Sequence, residues 1–417
     1  MHLIHSIYIC IFLVSVPLQS VCAGSRQLTR GQAVEFALES NPRVAAAYAE
    51  WQAARSRKLI ALAPEDPELE IEYEELPGVF DIGQYGERSI GITQRIEWPL
   101  KWWYRQRASA QGAESVRFSA YETTRLDVEA EVSVAFDRVL ADRKIVAAAE
   151  ENLLLAKDLA AKSRTRFDAG DVPRLEVMRS EVQVGLSENA VAEATAALAA
   201  SRASLAMVLG RDGSAPIEVV GELQVDTTSY ELETLKRKAL DQRPDLRGAQ
   251  HALSRARLSR SETIAALLPG LSLGVSRQTI GEPGTRSSSW RTTFGIEIPI
   301  WAPFRQRGEV SVASAEARQA EAEHENLKQE ALGEVVSSHA ALEAARNRVK
   351  VLESGVLKLA EAAGQAASEN YRQGKASYLE VLEARRTLIE ARIAHTEALF
   401  DYHRSRAELE RAVGGSL

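Results

Sequence analysis

The chain has 417 residues, 45% apolar but only 6% aromatic, with 25 glycines and 13 prolines confined to a few places. Such a length can bury a large core, and an alanine-rich, aromatic-poor balance favours long helices over a compact mixed domain. The formal net charge of −7 comes from interspersed acids and bases, which leaves no basic stripe for nucleic acid.

Residues 7–16 are almost wholly apolar, and Val21-Cys22-Ala23 places small residues before Gly24, so 1–23 reads as a cleaved secretory signal. Acylation of Cys22 is the alternative, although Gln19 and Val21 suit a lipoprotein site poorly. Cys10 and Cys22 both leave with such a signal, and the mature chain then has no thiol, disulfide or cysteine metal site. No later stretch approaches 18 apolar residues, so no transmembrane helix is expected; an outer membrane can still be crossed by strands.

Residues 27–62 read as helix, with Thr29 as cap and a break at Pro42. The period then falls from about 3.6 to 2. Leu69, Ile71 and Tyr73 alternate with glutamates 68, 70, 72 and 74; after a turn rich in Pro and Gly, Ile90, Ile92, Ile96 and Trp98 alternate with polar residues. A hairpin over 68–98 with one apolar and one charged face follows. Trp98, Trp102 and Trp103 cluster after it, then Pro99 opens a helical stretch over 101–166 without proline. Its roughly 65 residues make a rod of ~95–100 Å. Val132, Val139, Val146, Leu153, Ala160 and Phe167 recur every seven residues, the period of a left-handed supercoil. The rod reverses at Asp168-Ala169-Gly170-Asp171, and a return helix runs over 174–209 to Gly210.

The same unit then recurs. Residues 231–268 are helical around Pro244; Leu271, Leu273 and Val275, then Trp290, Thr292, Phe294, Ile296 and Ile298, mark a second hairpin over 270–300; Trp290 and Trp301 bracket its last strand. A rod over 304–373 carries Val335, Leu342, Val349, Val356 and Ala363 at heptad spacing, turns at Arg372-Gln373-Gly374-Lys375 and returns over 377–413. Ile96-Glu97-Trp98-Pro99-Leu100 with Arg105-Gln106-Arg107 reappears as Ile296-Glu297-Ile298-Pro299-Ile300 with Arg305-Gln306-Arg307. The chain is thus expected to be a duplicated unit, 24–220 and 221–417.

Strands of about ten residues have the length of a tilted bilayer crossing, although an ordinary sheet with one solvated face would show the same alternation. The tryptophans Trp98, Trp102, Trp103, Trp290 and Trp301 favour the membrane, as an interfacial belt. Four strands cannot close a barrel, and an open edge in lipid is prohibitive. Two copies could close eight strands around a lumen filled by side chains; three supply twelve, wide enough for a lumen, and the same threefold axis closes the helices into a tube. The expected fold is therefore mostly α with a small membrane β part: a trimeric 12-stranded barrel joined to a coiled-coil helical barrel.

In this order and spacing of elements, with the Leu-Glu-Val-Leu-Glu run at 379–383, the chain resembles the TolC-type outer-membrane efflux channels. The Ile-Glu-Trp-Pro junction resembles the branch serving heavy-metal or related RND pumps. The resemblance implies a trimeric passive duct in outer-membrane lipid, with helices in the periplasm. Tips at Gly170, Asp171, Gly374 and Lys375 would meet a periplasmic adaptor, linked to an inner-membrane pump. It also implies a periplasmic gate formed by Tyr371, Glu380 and Glu383. Two observations weigh on that gate. Ser377 and Glu380 have the spacing of a capping box, matched by Glu176 in the first copy, and Ala376 stands where the prototype has a locking arginine.

Glu70, Glu72, Glu74, Arg95, Arg277 and Arg291 are expected to line the lumen as a solvated surface. Histidines 251, 324, 339, 395 and 403 lack the spacing of a metal site. Neither a phosphate-binding loop nor a nucleophile grouping is present, so neither an enzyme nor a cofactor is expected. Cargo is open among drugs, metal ions and polypeptides, the last corresponding to a type I secretion duct. A soluble periplasmic coiled-coil adaptor or scaffold is the rival that needs no membrane strands.

Overall fold

The computed structural model describes residues 27–417 apart from 81, 83, 84, 215, 216, 227, 282, 283 and 299–303. The expected signal at 1–23, with Cys10 and Cys22, lies outside these residues, as does Trp301. A two-residue strand β1 (Gln27–Leu28) leads into α1 (Arg30–Ser40) and α2 (Pro42–Leu62). Thr29 and Gln32 form a capping box on α1, and Asn41 caps α2 with Pro42 at its first position, where a missing N–H costs nothing. β2 (Glu68–Glu74) and β3 (Glu87–Ile96) form the first hairpin. The rod follows as α3 (Pro99–Val116), a π-helical segment (Arg117–Glu122) and α4 (Thr123–Asp168), with α5 (Arg174–Val208) returning along it.

After β4 (Glu218–Val219), which pairs with β1, the order repeats: α6 (Leu232–Gln242), α7 (Pro244–Ala265), β5 (Gly270–Ile280), β6 (Ser287–Glu297), α8 (Arg305–Val351), a second π segment (Leu352–Leu357), α9 (Lys358–Arg372) and α10 (Tyr378–Val413). The halves meet in one core, where Phe136, Val132 and Leu205 pack with Leu342, Val335, Tyr402 and Leu409. Tyr402 is satisfied there: its hydroxyl accepts from the Asp226 amide at 3.1 Å and donates to the Asp226 carbonyl at 3.2 Å.

The rods differ from the uninterrupted helices expected, because each contains a π turn, and the two turns lie at different heights. In the second rod the consequence is visible in the seam. Val335, Leu342 and Val349 are buried as their spacing predicts, but Val356 and Ala363 are exposed, and Ala360, Gly364 and Tyr371 are buried instead. An i→i+5 turn holds one residue more than an α turn, so every seam position below 352–357 moves on by one.

The first rod shows a different departure. Val132 and Val139 are buried, Val146, Leu153 and Ala160 only half so, and Phe167 is exposed; toward the tip the contact passes to Ala149, Ala156 and Ser163. Opposite them α5 offers Ser180, Ser187, Ala194 and Ser201, again at spacing seven. Small residues on both helices allow close approach, and Asn152 donates to Ser187 Oγ at 3.1 Å across the seam. α5 is itself long and apolar enough, by composition, to cross a membrane, contrary to the sequence expectation. Its buried serines and alanines pack on α4 instead.

Candidate functional site

β2, β3, β5 and β6 form one antiparallel sheet in that order. Register sorts the side chains, because residues directly opposite share a face. Leu69, Ile92, Val275 and Thr292 form one row; Gln94, Leu273 and Phe294 the next; Ile96, Leu271 and Ile296 the row nearest the helices. All the apolar residues singled out by alternation therefore share one face. It is uncovered: Phe294 is 80% and Trp290 73% exposed. The opposite face carries Glu68, Glu70, Glu72, Glu74, Arg95 and Arg291 among small residues, including Gly91, Gly274 and Gly295. A Cβ at Gly295 would collide with the Ser272 hydroxyl, and one at Gly91 would meet the Ser276 side chain at 2.7 Å. Arg277 corrects the expectation that it lies on that polar face. Its partners are Ile90 and Trp290, so it stands on the apolar one.

Below the sheet lie Glu97 with Arg105-Gln106-Arg107 and Glu297 with Arg305-Gln306-Arg307. Glu97 accepts from Lys101 Nζ and Arg105 Nη1, each at 2.8 Å. In the second copy Arg305 turns to Glu309, and Gln306 donates to the Ala266 carbonyl at 2.7 Å, beyond the end of α7. The indole of Trp98 donates to the Pro269 carbonyl, and that of Trp102 to the Leu62 carbonyl at 3.3 Å. Both tryptophans thereby tie the rod to the carbonyl ends of the opening helices. Trp103 packs against Tyr104 and under Arg107, and Trp290 stands at the far end of the sheet.

At the opposite end of the molecule each rod closes in the same way. Gly170 and Gly374 have φ of 83° and 72°. The Asp171 amide donates to the Arg166 carbonyl and that of Lys375 to the Asn370 carbonyl, both at 2.8 Å, which completes a Schellman turn over each tip. Asp171 and Lys375 are exposed at its apex.

The turns match; the residues around them do not. Ser377 caps α10 in a full capping box: its hydroxyl accepts from the Glu380 amide at 3.3 Å, and its own amide donates to Glu380 Oε2 at 2.8 Å. Pro173 occupies that place on α5 and offers no side-chain acceptor. Glu176 is thus freed from the capping role expected of it and accepts from the buried Tyr371 hydroxyl at 2.8 Å. Ser163 lies 3.5 Å from both. Leu159, Tyr378 and Val381 enclose the group; burial, then the nearby Tyr371 and Glu176, raises the Tyr378 phenol. The bond couples the second tip to the first, a partnership visible in sequence only as a proline where the copy has serine.

Glu383 is exposed. It lines a cleft of about 280 Å³ with Asn152, Leu159, Gln183 and Arg385. Burial lowers the Arg385 pKa, and its Nη1 finds no acceptor among the described residues. Sequence reasoning passed over this residue. Among the described residues no group of three or more His, Cys, Asp or Glu side chains is placed to hold a metal.

The profile of the outer membrane efflux proteins matches residues 33–211 and 235–415. The cobalt-zinc-cadmium resistance protein CzcC of Cupriavidus metallidurans is 27% identical over 332 residues, 77% of each chain. Among solved structures, CusC superposes with a TM-score of 0.78 at 21% identity over 93% of this chain and 92% of that one. The Campylobacter jejuni CmeC outer membrane channel gives 0.77 at 19% identity over 93% and 86%. These likenesses agree with the mostly helical fold, and the profile takes in most of both halves: this chain belongs to the outer membrane efflux protein family, as a passive outer-membrane channel component and not an enzyme.

Proposed function

We propose that three copies, each a duplicated unit of 24–220 and 221–417, close into a 12-stranded outer-membrane barrel continued by a periplasmic helical duct. The observation that carries this is the sheet: among the described residues β2 and β6 are unpaired edges flanking a bare apolar face. Lipid tolerates neither edge, and joining β6 of one copy to β2 of the next removes both. The rods point the same way. Leu175, Met178, Val182 and Leu186 form an exposed apolar stripe on α5, for which a neighbouring copy supplies cover. Trp98, Trp102 and Trp103 at one end of the sheet and Trp290 at the other then sit at the two membrane boundaries.

In this reading the tips bearing Gly170, Asp171, Gly374 and Lys375 dock a periplasmic adaptor, and an RND-type inner-membrane pump supplies the energy. Tyr371 holds the tips closed through Glu176, and Glu383 lines the constriction; Glu380 serves first as a cap. CzcC is named for cobalt, zinc and cadmium resistance, which favours divalent metal cations as cargo over drugs or polypeptides.

Native mass spectrometry of material extracted from outer membranes tests the assembly. Three mature chains are expected, and release of a monomer with the periplasm would sink it in favour of a soluble scaffold. In planar bilayers, Glu383→Gln is expected to lower cation preference; an unchanged preference removes Glu383 from the constriction. A deletion strain sensitised to drugs but not to cobalt, zinc or cadmium would overturn the cargo.

A further inference from the structure

At the end of the sheet farthest from the helices, the apolar face changes character. Ile71, Ile90, Arg277 and Trp290 form its penultimate row; Tyr73, Arg88, Thr279 and Ser288 form its last. Arg88 and Arg277 are diagonal neighbours on β3 and β5, and neither row contains an acid. Tyr85, 7% exposed, folds back onto this end, edge-on to Tyr73 at 5.6 Å. The Arg88 guanidinium stands over its ring at 5.2 Å and that of Arg286 at 3.9 Å. Arg88 and Arg277 form no ion pair among the described residues. With Ile90, Ile92, Thr279 and Trp290 they line a shallow cleft of about 360 Å³.

Cations on a lipid-facing surface are costly at the centre of the hydrocarbon and tolerated at its boundary. The eight residues from Ile96 to Arg88 span ~27 Å along the strand, or roughly 20 Å of depth at a tilt of ~40°. Arg88 therefore lies toward the end of the apolar band on the side away from the helices, and Arg277, one row nearer the helices, starts ~5 Å deeper and reaches outward along its stem. There the aliphatic stem can lie along the apolar surface while the guanidinium reaches the headgroup layer, and its fork of donors matches phosphate oxygens.

We propose that Arg88 and Arg277 form a binding site for the phosphorylated headgroup of a lipid in the distal leaflet, with its acyl chains lying on Ile71, Ile92, Leu273 and Phe294. The site rests on the reading of the sheet as a third of a transmembrane barrel. Three such sites girdle the assembled channel, each contained within one copy, so lipid occupancy does not depend on the edges that close the barrel.

The test is native mass spectrometry of the detergent-solubilised channel titrated with lipid A, with dephosphorylated lipid A, and with inorganic phosphate as competitor. The wild type is expected to retain lipid A and to lose at least tenfold in apparent affinity when the phosphates are removed. R88Q/R277Q is expected to lose a similar factor while remaining trimeric with wild-type conductance, and R88K/R277K to recover most of the binding. Lipid A binding by R88Q/R277Q equal to wild type overturns the site, as does full displacement by millimolar inorganic phosphate, which would make it a free-anion site. Wild-type protein recovered as a non-conducting monomer would instead bring down the barrel, an outcome separate from loss of lipid alone.

Discussion

The two helix tips share a backbone and differ in chemistry. Each ends in a Schellman turn on a left-handed glycine, yet the first presents Phe167, Pro173 and Glu176 where the second presents Tyr371, Ser377 and Glu380. Phenylalanine has no hydroxyl to give, and proline leaves its glutamate unengaged. Of these three pairs, the second tip therefore supplies the donor hydroxyl and the first the glutamate that no cap engages. The turn is common to both tips, and divergence at two positions, Phe167 against Tyr371 and Pro173 against Ser377, leaves one tip with the donor and the other with the acceptor.

The largest effect is expected from cutting that bond. Tyr371→Phe or Glu176→Gln should raise closed-state conductance about tenfold, matching the loss of one charge-assisted bond of roughly 1.5 kcal/mol or more. The double variant should be no leakier than either single one, since both remove the same contact. Phe167→Tyr should change nothing, because its counterpart Glu380 is held by Ser377. A leaky Phe167→Tyr channel, or additive single variants, would break the distinction between the tips.

A second contrast lies in the core between the halves. Asp137 on α4 is 1% exposed and accepts from Arg30; His403 on α10, 6% exposed, stands 3.9 Å away. Burial, opposed by Arg30, pushes Asp137 up to about 6; burial, then Arg30 and Arg406, pushes His403 down to about 4. A carboxyl with a raised pKa contributes stability at low pH that is lost as pH climbs through 6. A histidine with a lowered pKa does the reverse, losing stability as pH falls toward 4. The slopes oppose each other, and the wild type should be nearly flat over this window. His403→Gln should leave melting temperature falling from pH 4 to 6, and Asp137→Asn should leave it rising from pH 4 to 6.5. Each change is on the order of 2 kcal/mol. Parallel profiles in the two variants would show that the groups do not balance.

Ser377→Ala should cost about 1 kcal/mol, the usual worth of an N-cap side chain, read as a drop of a few degrees in melting temperature. Pro173→Ser asks the converse. If the new serine recruits Glu176 into a box, Tyr371 loses its acceptor and conductance should rise as in Glu176→Gln. A closed channel in that variant would mean that Glu176 prefers the tyrosine even when a cap is on offer.

Much of this was legible in the sequence, for identifiable reasons. Alternation and the seven-residue period are dictated by which side must be dry, so both hairpins and both rods could be read from Leu69, Ile92, Val132 and Val335. The turns were legible because glycine alone takes their φ without strain. Less legible were features fixed by register. Arg277 looked polar-facing until its pairing with Ile90 placed it among the apolar residues. The shift from Ala363 to Gly364 was invisible because the residues of a π turn have no distinctive composition. That Trp98 and Trp102 also tie the rod to Pro269 and Leu62 was not legible, because those indole acceptors lie far away or unmarked in the chain.

The π turns also separate the halves, and the smallest expected effect on stability tests what the lower one does. Above 352–357 the seam runs through Leu342 and Val349; below it, through Gly364 and Tyr371, one residue out of phase with a strict heptad. Deleting Gly355, whose Cβ position meets no neighbour within 4 Å, restores the period and lets the rod continue as α-helix with Tyr371 still facing Glu176. Stability should then stay within about 1 kcal/mol of wild type, and the latch should hold. If the π turn only absorbs an extra residue, conductance and its response to Tyr371→Phe will be unchanged. If it is the joint about which the second tip swings, in keeping with the frequency of π turns at functional sites, the deletion should suppress opening even in the Tyr371→Phe background. The first rod has its π turn near the membrane, not above the tip, so the corresponding deletion within 117–122 should leave gating as it was.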